Sequence, residues 1–180
     1  MKKIFPFLLL ILITFGCKCE ETLTVYTLTD QEKTIVPYVL NDAIKWKDNN
    51  NIIYNGSVVK NIVDYSDGGS RGEDCNIIQH NRLINILEIN SERYEIVLKK
   101  NTSISFYISR YNNEVGQTFY PTVQLNNFST IEFNGDTYEN AILLKQSVLD
   151  GEPFGYLVYS KTNGIEFILF EDGTWYKRVE

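Results

Sequence analysis

From Thr22 onward, apolar positions recur at every second residue over much of the chain. Tyr94, Ile96 and Leu98 alternate with Arg93, Glu95 and Lys99, and Ile104, Phe106 and Ile108 alternate with Ser103, Ser105 and Ser109. A period of two puts the apolar set on one face of an extended chain, which predicts half-buried strands with one wet face. Similar runs, rich in β-branched and aromatic residues, lie at 23–29, 35–38, 43–47, 57–65 and 83–89. After residue 22 no stretch carries a helical apolar stripe longer than two turns. Residues 76–82 predict one short helical turn.

Turn chemistry makes these runs neighbours. Asn163-Gly164 separates 156–161 from 165–170, Asp172-Gly173 leads into 174–179, and Asn134-Gly135-Asp136 joins 128–133 to 137–146. Asn-Gly favours tight hairpins because both residues tolerate positive φ. Asn90-Ser91-Glu92 plays the same part between 83–89 and 94–99. The last 50 or so residues therefore read as an antiparallel meander of about five strands. The predicted fold is all-β, an antiparallel meander forming a sandwich or a strongly twisted, partly open barrel.

Composition supports a packed core and not disorder, with 43% hydrophobic and 13% aromatic residues. The N-terminus stands apart from the rest. Lys2 and Lys3 precede an apolar run at 4–15, and Gly16 comes directly before Cys17. That is the anatomy of a secretory signal, and a run of about a dozen residues is shorter than the roughly 20 that cross a bilayer.

The Gly16-Cys17 junction resembles that of bacterial lipoproteins, in which the signal is cut before a cysteine carrying diacylglycerol. Thr14 stands where that family usually has Leu. Lys18, Glu20 and Glu21 resemble the surface-export signal of Bacteroidetes lipoproteins, a lysine and paired acids just after the acylated cysteine. The C-terminal stretch is similar to a pattern in uncharacterised lipoproteins of the same group, carried by Gly135, Tyr138 and Asn140, then Tyr156 and Tyr159, then Gly164, Ile165 and Phe167, then Trp175. The resemblance implies residues 1–16 as a signal peptide, 17–22 as lipidated cysteine and tether, and 23–180 as a single all-β domain. It further implies acyl chains on Cys17, an outer-membrane or cell-surface location and no particular activity.

Charge narrows the partners. The formal net charge of −6 becomes −8 once Lys2 and Lys3 leave with the signal, so nucleic acid, which is held by Lys and Arg on phosphates, is not an expected partner. With Cys17 acylated, Cys19 and Cys75 remain and could pair in an oxidising compartment. No second cysteine lies near Cys75, and His80 is the single histidine, so no structural zinc site is expected.

One loop carries candidate chemistry. Gly68-Gly69-Ser70-Arg71-Gly72 fits the GxSxG nucleophile elbow, which needs a strand before the serine, a helix after it, and an acid and histidine later in the chain. A strand precedes it, but His80 follows only ten residues on and no βαβ units surround it, so a glycine-rich loop accounts for the same residues. Asp64, Asp67, Glu73 and Asp74 flank the glycines and supply the carboxylates that calcium would need, without EF-hand spacing. Tyr107, Tyr111, Phe119 and Tyr120 gather around residues 112–117, with core packing expected and a sugar- or protein-stacking platform as the alternative.

Two functional classes follow. The first is a non-enzymatic, lipid-anchored β-domain that binds a glycan, a lipid or an envelope protein, or serves a structural role. The second is an envelope hydrolase using Ser70 and His80, or a calcium-dependent module, built on the acidic loop at 64–76.

Overall fold

Alternating apolar residues along short extended segments can satisfy their backbone groups only by pairing, and here every strand finds neighbours. The computed structural model describes residues 22–68, 76–111, 116–147 and 155–179. Twelve strands appear in order: β1 (Thr22–Tyr26), β2 (Ala43–Asp48), β3 (Ile53–Asp67), β4 (Asn76–Ile89), β5 (Glu92–Lys100), β6 (Ile104–Tyr111), β7 (Gly116–Pro121), β8 (Ser129–Phe133), β9 (Asp136–Gln146), β10 (Tyr156–Ser160), β11 (Gly164–Leu169) and β12 (Trp175–Val179). A single-turn helix, α1 (Asp30–Lys33), lies between β1 and β2.

Ten of these strands close into an antiparallel barrel. The order β4-β3-β2-β12-β11-β10-β9-β7-β6-β5 returns to β4 through the β4–β5 pair. Pairing of Lys47 with Lys177 seals the first barrel strand to the last. The antiparallel all-β expectation therefore holds, and the meander ends in a closed barrel, not a sandwich or an open one. Closure removes the edges that an open sheet would leave. Two strands stand outside the ring: β1 pairs in parallel with the start of β4, and β8 pairs with the start of β9.

Turns behave as their residues dictate. Asn134 and Gly135 both have positive φ in the two-residue β8–β9 hairpin, and Asn90 and Ser91 do the same between β4 and β5 without a glycine. Two sequence expectations fail. Residues 76–82 form the first half of β4, not a helical turn, because β1 and β3 pair along them on both sides. Residues 35–38 are no strand. They belong to a segment that begins at Leu28, runs through α1 with Thr29 in a capping box with Glu32, and enters one end of the barrel.

That segment acts as a plug. Leu28, Ile35, Val36 and Tyr38 are buried in one continuous cluster with Trp46, Tyr94, Phe119 and Tyr159 from the strands. These side chains occupy the barrel lumen. Gly56 is required beside them, since a Cβ there would come within 2.8 Å of the Glu88 carbonyl and 3.0 Å of the Trp46 indole nitrogen. A second, smaller core sits on the outer wall, where Tyr138, Ala141, Val158 and Phe167 are covered by Ile131 and Phe133 of β8 and by Trp175. The β8–β9 hairpin exists to cover that outward apolar patch.

Candidate functional site

At the plug end, β3 and β4 run past the barrel wall and β1 adds alongside, making a three-stranded flap. Cross-strand partners on the flap share a face, so register assigns its two surfaces. Leu23 pairs with Ile77, Tyr65 with Asn81 and Val63 with Leu83. Leu83 is buried in the lumen cluster, so this face continues the inner surface of the barrel outward. Beyond the rim it is exposed and mixed: Leu23 is 60% exposed, Tyr65 53% and Val63 49%, with Val25 and Ile77 beside them and the hydrogen-bonded Asp67 and Gln79 among them. Val39 and Leu40 of the plug are exposed at the same end, next to Tyr38, whose carbonyl accepts from the Asn61 amide at the base of the flap.

Asn81 fixes this arrangement. Its Oδ1 accepts from the Leu28 amide at 3.2 Å and its Nδ2 donates to the Asp64 carbonyl at 3.2 Å, tying plug and flap together. The other face of the flap carries an ion pair and the histidine beside Ile62 and Ile78. Arg82 grips Asp64 through Nε to Oδ1 at 2.9 Å and a second nitrogen to Oδ2 at 2.8 Å. His80 stacks on Tyr26 with ring centroids 5.7 Å apart, and its Nδ1 lies 3.2 Å from the Lys100 carbonyl. A Cβ on Gly68 would come within 2.8 Å of His80 Nε2, so Gly68 packs directly on the imidazole.

The sequence-predicted residues are thereby sorted. Asp64 is engaged by Arg82, while Asp67 lies on the opposite face of β3 and accepts from Gln79 at 3.3 Å. Residues three apart on a strand project to opposite sides, so these two carboxylates do not converge on one cation. Among the described residues no three His, Cys, Asp or Glu side chains gather as metal ligands. Cys17, Lys18, Cys19, Glu20, Glu21, Ser70, Glu73, Asp74 and Cys75 lie outside the described residues. The aromatic group divides: Phe119 is in the lumen core, Tyr107 and Tyr120 meet on the outer wall at 6.1 Å, and Tyr111 is exposed at the far end.

At that far end an ion pair sits in an open groove of about 540 Å³ lined by Gln117, Phe170, Asp172 and Tyr176. Arg110 binds both oxygens of Glu92, donates to Gln117 at 2.9 Å and lies 4.2 Å over the Phe170 ring. The Tyr94 hydroxyl donates to the same carboxylate at 2.6 Å. Burial opposes the Arg110 charge, yet the Glu92 carboxylate more than offsets it and holds the guanidinium protonated. Burial also pushes the Tyr94 phenol well above its ordinary value. These contacts tie β5, β6 and β7 to Phe170 at the end of β11. Sequence analysis missed Arg110, although the inward series Phe106, Ile108, Arg110 on β6 shows a charge where the alternation demands an apolar residue.

No known protein-family model, curated protein or solved structure matches this chain significantly.

Proposed function

We propose that this chain is a lipid-anchored lipoprotein of the outer membrane or cell surface whose barrel is a non-enzymatic binding or structural body. The observation that carries this reading is the Lys2-Lys3, apolar run, Gly16-Cys17 sequence placed only five residues ahead of β1. A cysteine there joins acyl chains to the folded domain through a short tether. Burial of each acyl CH₂ contributes about 0.8 kcal/mol, so two or three chains hold a protein at a membrane where a single chain would not.

The domain suits a binding or structural role on its surface. Its lumen is filled by the plug and the aromatic core. Its paired ionic groups are tied to one another, Arg82 to Asp64, Arg110 to Glu92, Lys100 to Glu32 and Lys177 to Asp136. A glycan, a lipid or an envelope protein would therefore be met on the outside. The test is metabolic labelling with palmitate in the wild type and in Cys17→Ser. Label on the wild type alone supports the anchor, and equal label on both removes it.

A further inference from the structure

The turn between β10 and β11 stands between two open grooves on the rim of the barrel, at the end where Tyr38 packs on Gly164. One groove, of about 390 Å³, is lined by Lys45, Arg178, Asn163 and Glu166, and the other, of about 360 Å³, by Asp136, Tyr138, Lys177 and the same Asn163 and Glu166. Glu166 is held in the wall they share. Its Oε1 accepts from Ser160 Oγ at 2.7 Å and from Asn163 Nδ2 at 2.8 Å, and the Asn163 carbonyl accepts from Arg178. Both bonds to Glu166 fall on one oxygen, which fixes the carboxylate and leaves Oε2 for a ligand.

Tyr138 adds a second, independent sign. It packs with Val158 and Phe167 in the outer-wall core, where a phenylalanine would fill the same space. Its side chain is buried, with the residue 8% exposed, and its hydroxyl has no hydrogen-bond partner among the described residues. Burial, then the charges of Asp136 and Glu166, push this phenol above its ordinary value, so it keeps its proton, although neither carboxylate meets it in hydrogen-bond geometry. A buried donor left unpaired is costly, and a ligand in the second groove is the body placed to supply the missing acceptor.

Charge decides the ligand class. Across the two grooves Asp136, Glu139 and Glu166 balance Lys45, Lys177 and Arg178, so net charge draws in neither an anion nor a cation. No three metal-ligating side chains gather among the described residues. What the grooves offer is donors and acceptors intermixed, and that suits hydroxyl groups, each of which donates and accepts. We propose that the joined grooves bind a neutral polyhydroxy ligand, a sugar residue of a glycan. Glu166 and Asp136 accept from its hydroxyls, and Lys177 and Arg178 donate to its oxygens. Asp136 and Lys177 form an ion pair with side chains 37% and 30% exposed, and a ligand hydroxyl that displaces it gives Tyr138 its acceptor. The proposal deepens the reading of the barrel as a binding body and rests on it, but not on the anchor at Cys17.

The test is saturation-transfer NMR on the full-length protein in a sugar-free detergent, with the methyl glycosides of glucose, galactose and mannose as neutral probes and glucosamine and glucuronate as charged ones. At least one neutral glycoside should receive saturation. Its Kd should rise about tenfold in Glu166→Gln, where an accepting oxygen becomes a donor, and about threefold or more in Tyr138→Phe. Without sugar, the Tyr138→Phe protein should melt no lower than the wild type, because the hydroxyl it loses has no protein partner. A lower midpoint would show that the hydroxyl is already bonded and would overturn its assignment to the site. Saturation of glucosamine or glucuronate alone overturns the neutral class, and equal affinity in wild type and both variants places the binding elsewhere and overturns the site. Saturation of no probe, in a protein that still takes palmitate on Cys17, strikes the grooves and leaves the anchor standing.

Discussion

The hydroxyl of Tyr38 accepts a hydrogen bond from the buried amide of Ile165 at 2.6 Å, while its ring fills the space that a side chain on Gly164 would need. This contact seats the plug in the end of the barrel. A second one supports it, the Tyr159 hydroxyl donating to the Ile35 carbonyl at 2.9 Å. Burial pushes both phenols well above their ordinary values, so neither ionises near neutral pH and the plug stays neutral where it is packed.

Gly164 therefore meets two demands at once. Its φ is +78°, and a Cβ would come within 2.3 Å of the Tyr38 ring and hydroxyl. Gly135 has a φ of +82° but nothing within 4 Å. Gly135→Ala should cost about 1–2 kcal/mol from backbone strain alone, whereas Gly164→Ala should cost about 3–5 kcal/mol because the clash is added. Urea unfolding of the two variants measures the difference. Equal losses would mean that the plug yields to the methyl group.

Tyr38→Phe isolates the hydrogen bond. The ring remains, and the Ile165 amide is left buried without an acceptor, a loss of about 1–3 kcal/mol. Tyr54→Phe provides the comparison, because the Tyr54 hydroxyl meets Asp48 at the β2–β3 turn at 3.2 Å, where the backbone amides of Ile52 and Asn50 already serve the carboxylate. The Tyr54 variant should lose less than about 1 kcal/mol, and a larger loss there than at Tyr38 would contradict the plug as a stability element.

What sequence can show is local. The alternation around Tyr94 and Phe106 and the Asn134-Gly135 turn each lie within a few residues, and each was legible. Closure was not, because β2 and β12 look like any other alternating strands and their pairing spans almost the whole chain. Residues 35–38 read as a strand since Ile35, Val36 and Tyr38 are β-prone, yet a capping box at Thr29 and an end-on position in the lumen placed them differently. The flap face was hidden for another reason. Leu23 and Tyr65 sit in ordinary strand patterns, and only register shows that they share a surface.

The two ionic pairs on opposite ends of the barrel should differ in worth. Side chains of Arg110 and Glu92 are 13% and 18% exposed, against 33% and 35% for Arg82 and Asp64. Asp64→Ala should change stability by less than about 1 kcal/mol, as screened surface pairs do. Arg110→Ala leaves Glu92 confined without its cation and should cost about 2–4 kcal/mol. Thermal unfolding at matched salt would separate them, and raising the salt concentration should narrow the Asp64 difference first.

Acid should loosen the plug through Glu32. The Lys100 ammonium, followed by the Thr29 amide and hydroxyl, holds its carboxyl below the ordinary value of 4.5. A folded-state value lower than the unfolded one gives stability that is present above the unfolded value and lost as pH falls through the folded one. Stability of the wild type should therefore decline as the pH drops below 4.5. Glu32→Gln should show a shallower decline over the same range, having already given up the ion pair. Parallel acid branches in the two proteins would show that other carboxyls govern the transition.

Two buried asparagines on β4 should respond in opposite directions to the same substitution. Asn81 and Asn85 are 1% and 0% exposed and share the inward face of the strand. Asn81 is used at both ends of its amide, by Leu28 and by Asp64. Among the described residues Asn85 has no partner on either Nδ2 or Oδ1. Burying an amide without partners costs about 1–3 kcal/mol, so a leucine of similar volume at 85 removes a penalty and adds apolar contact in the lumen. Asn85→Leu should raise stability by about 1–2 kcal/mol. Asn81→Leu should lower it by about 2–3 kcal/mol, because the Leu28 amide and the Asp64 carbonyl lose their partner and the plug loses its tie to the flap. Calorimetric midpoints for both variants give the two signs directly. A destabilised Asn85→Leu would mean that the amide has a polar partner inside the barrel that the protein itself does not supply.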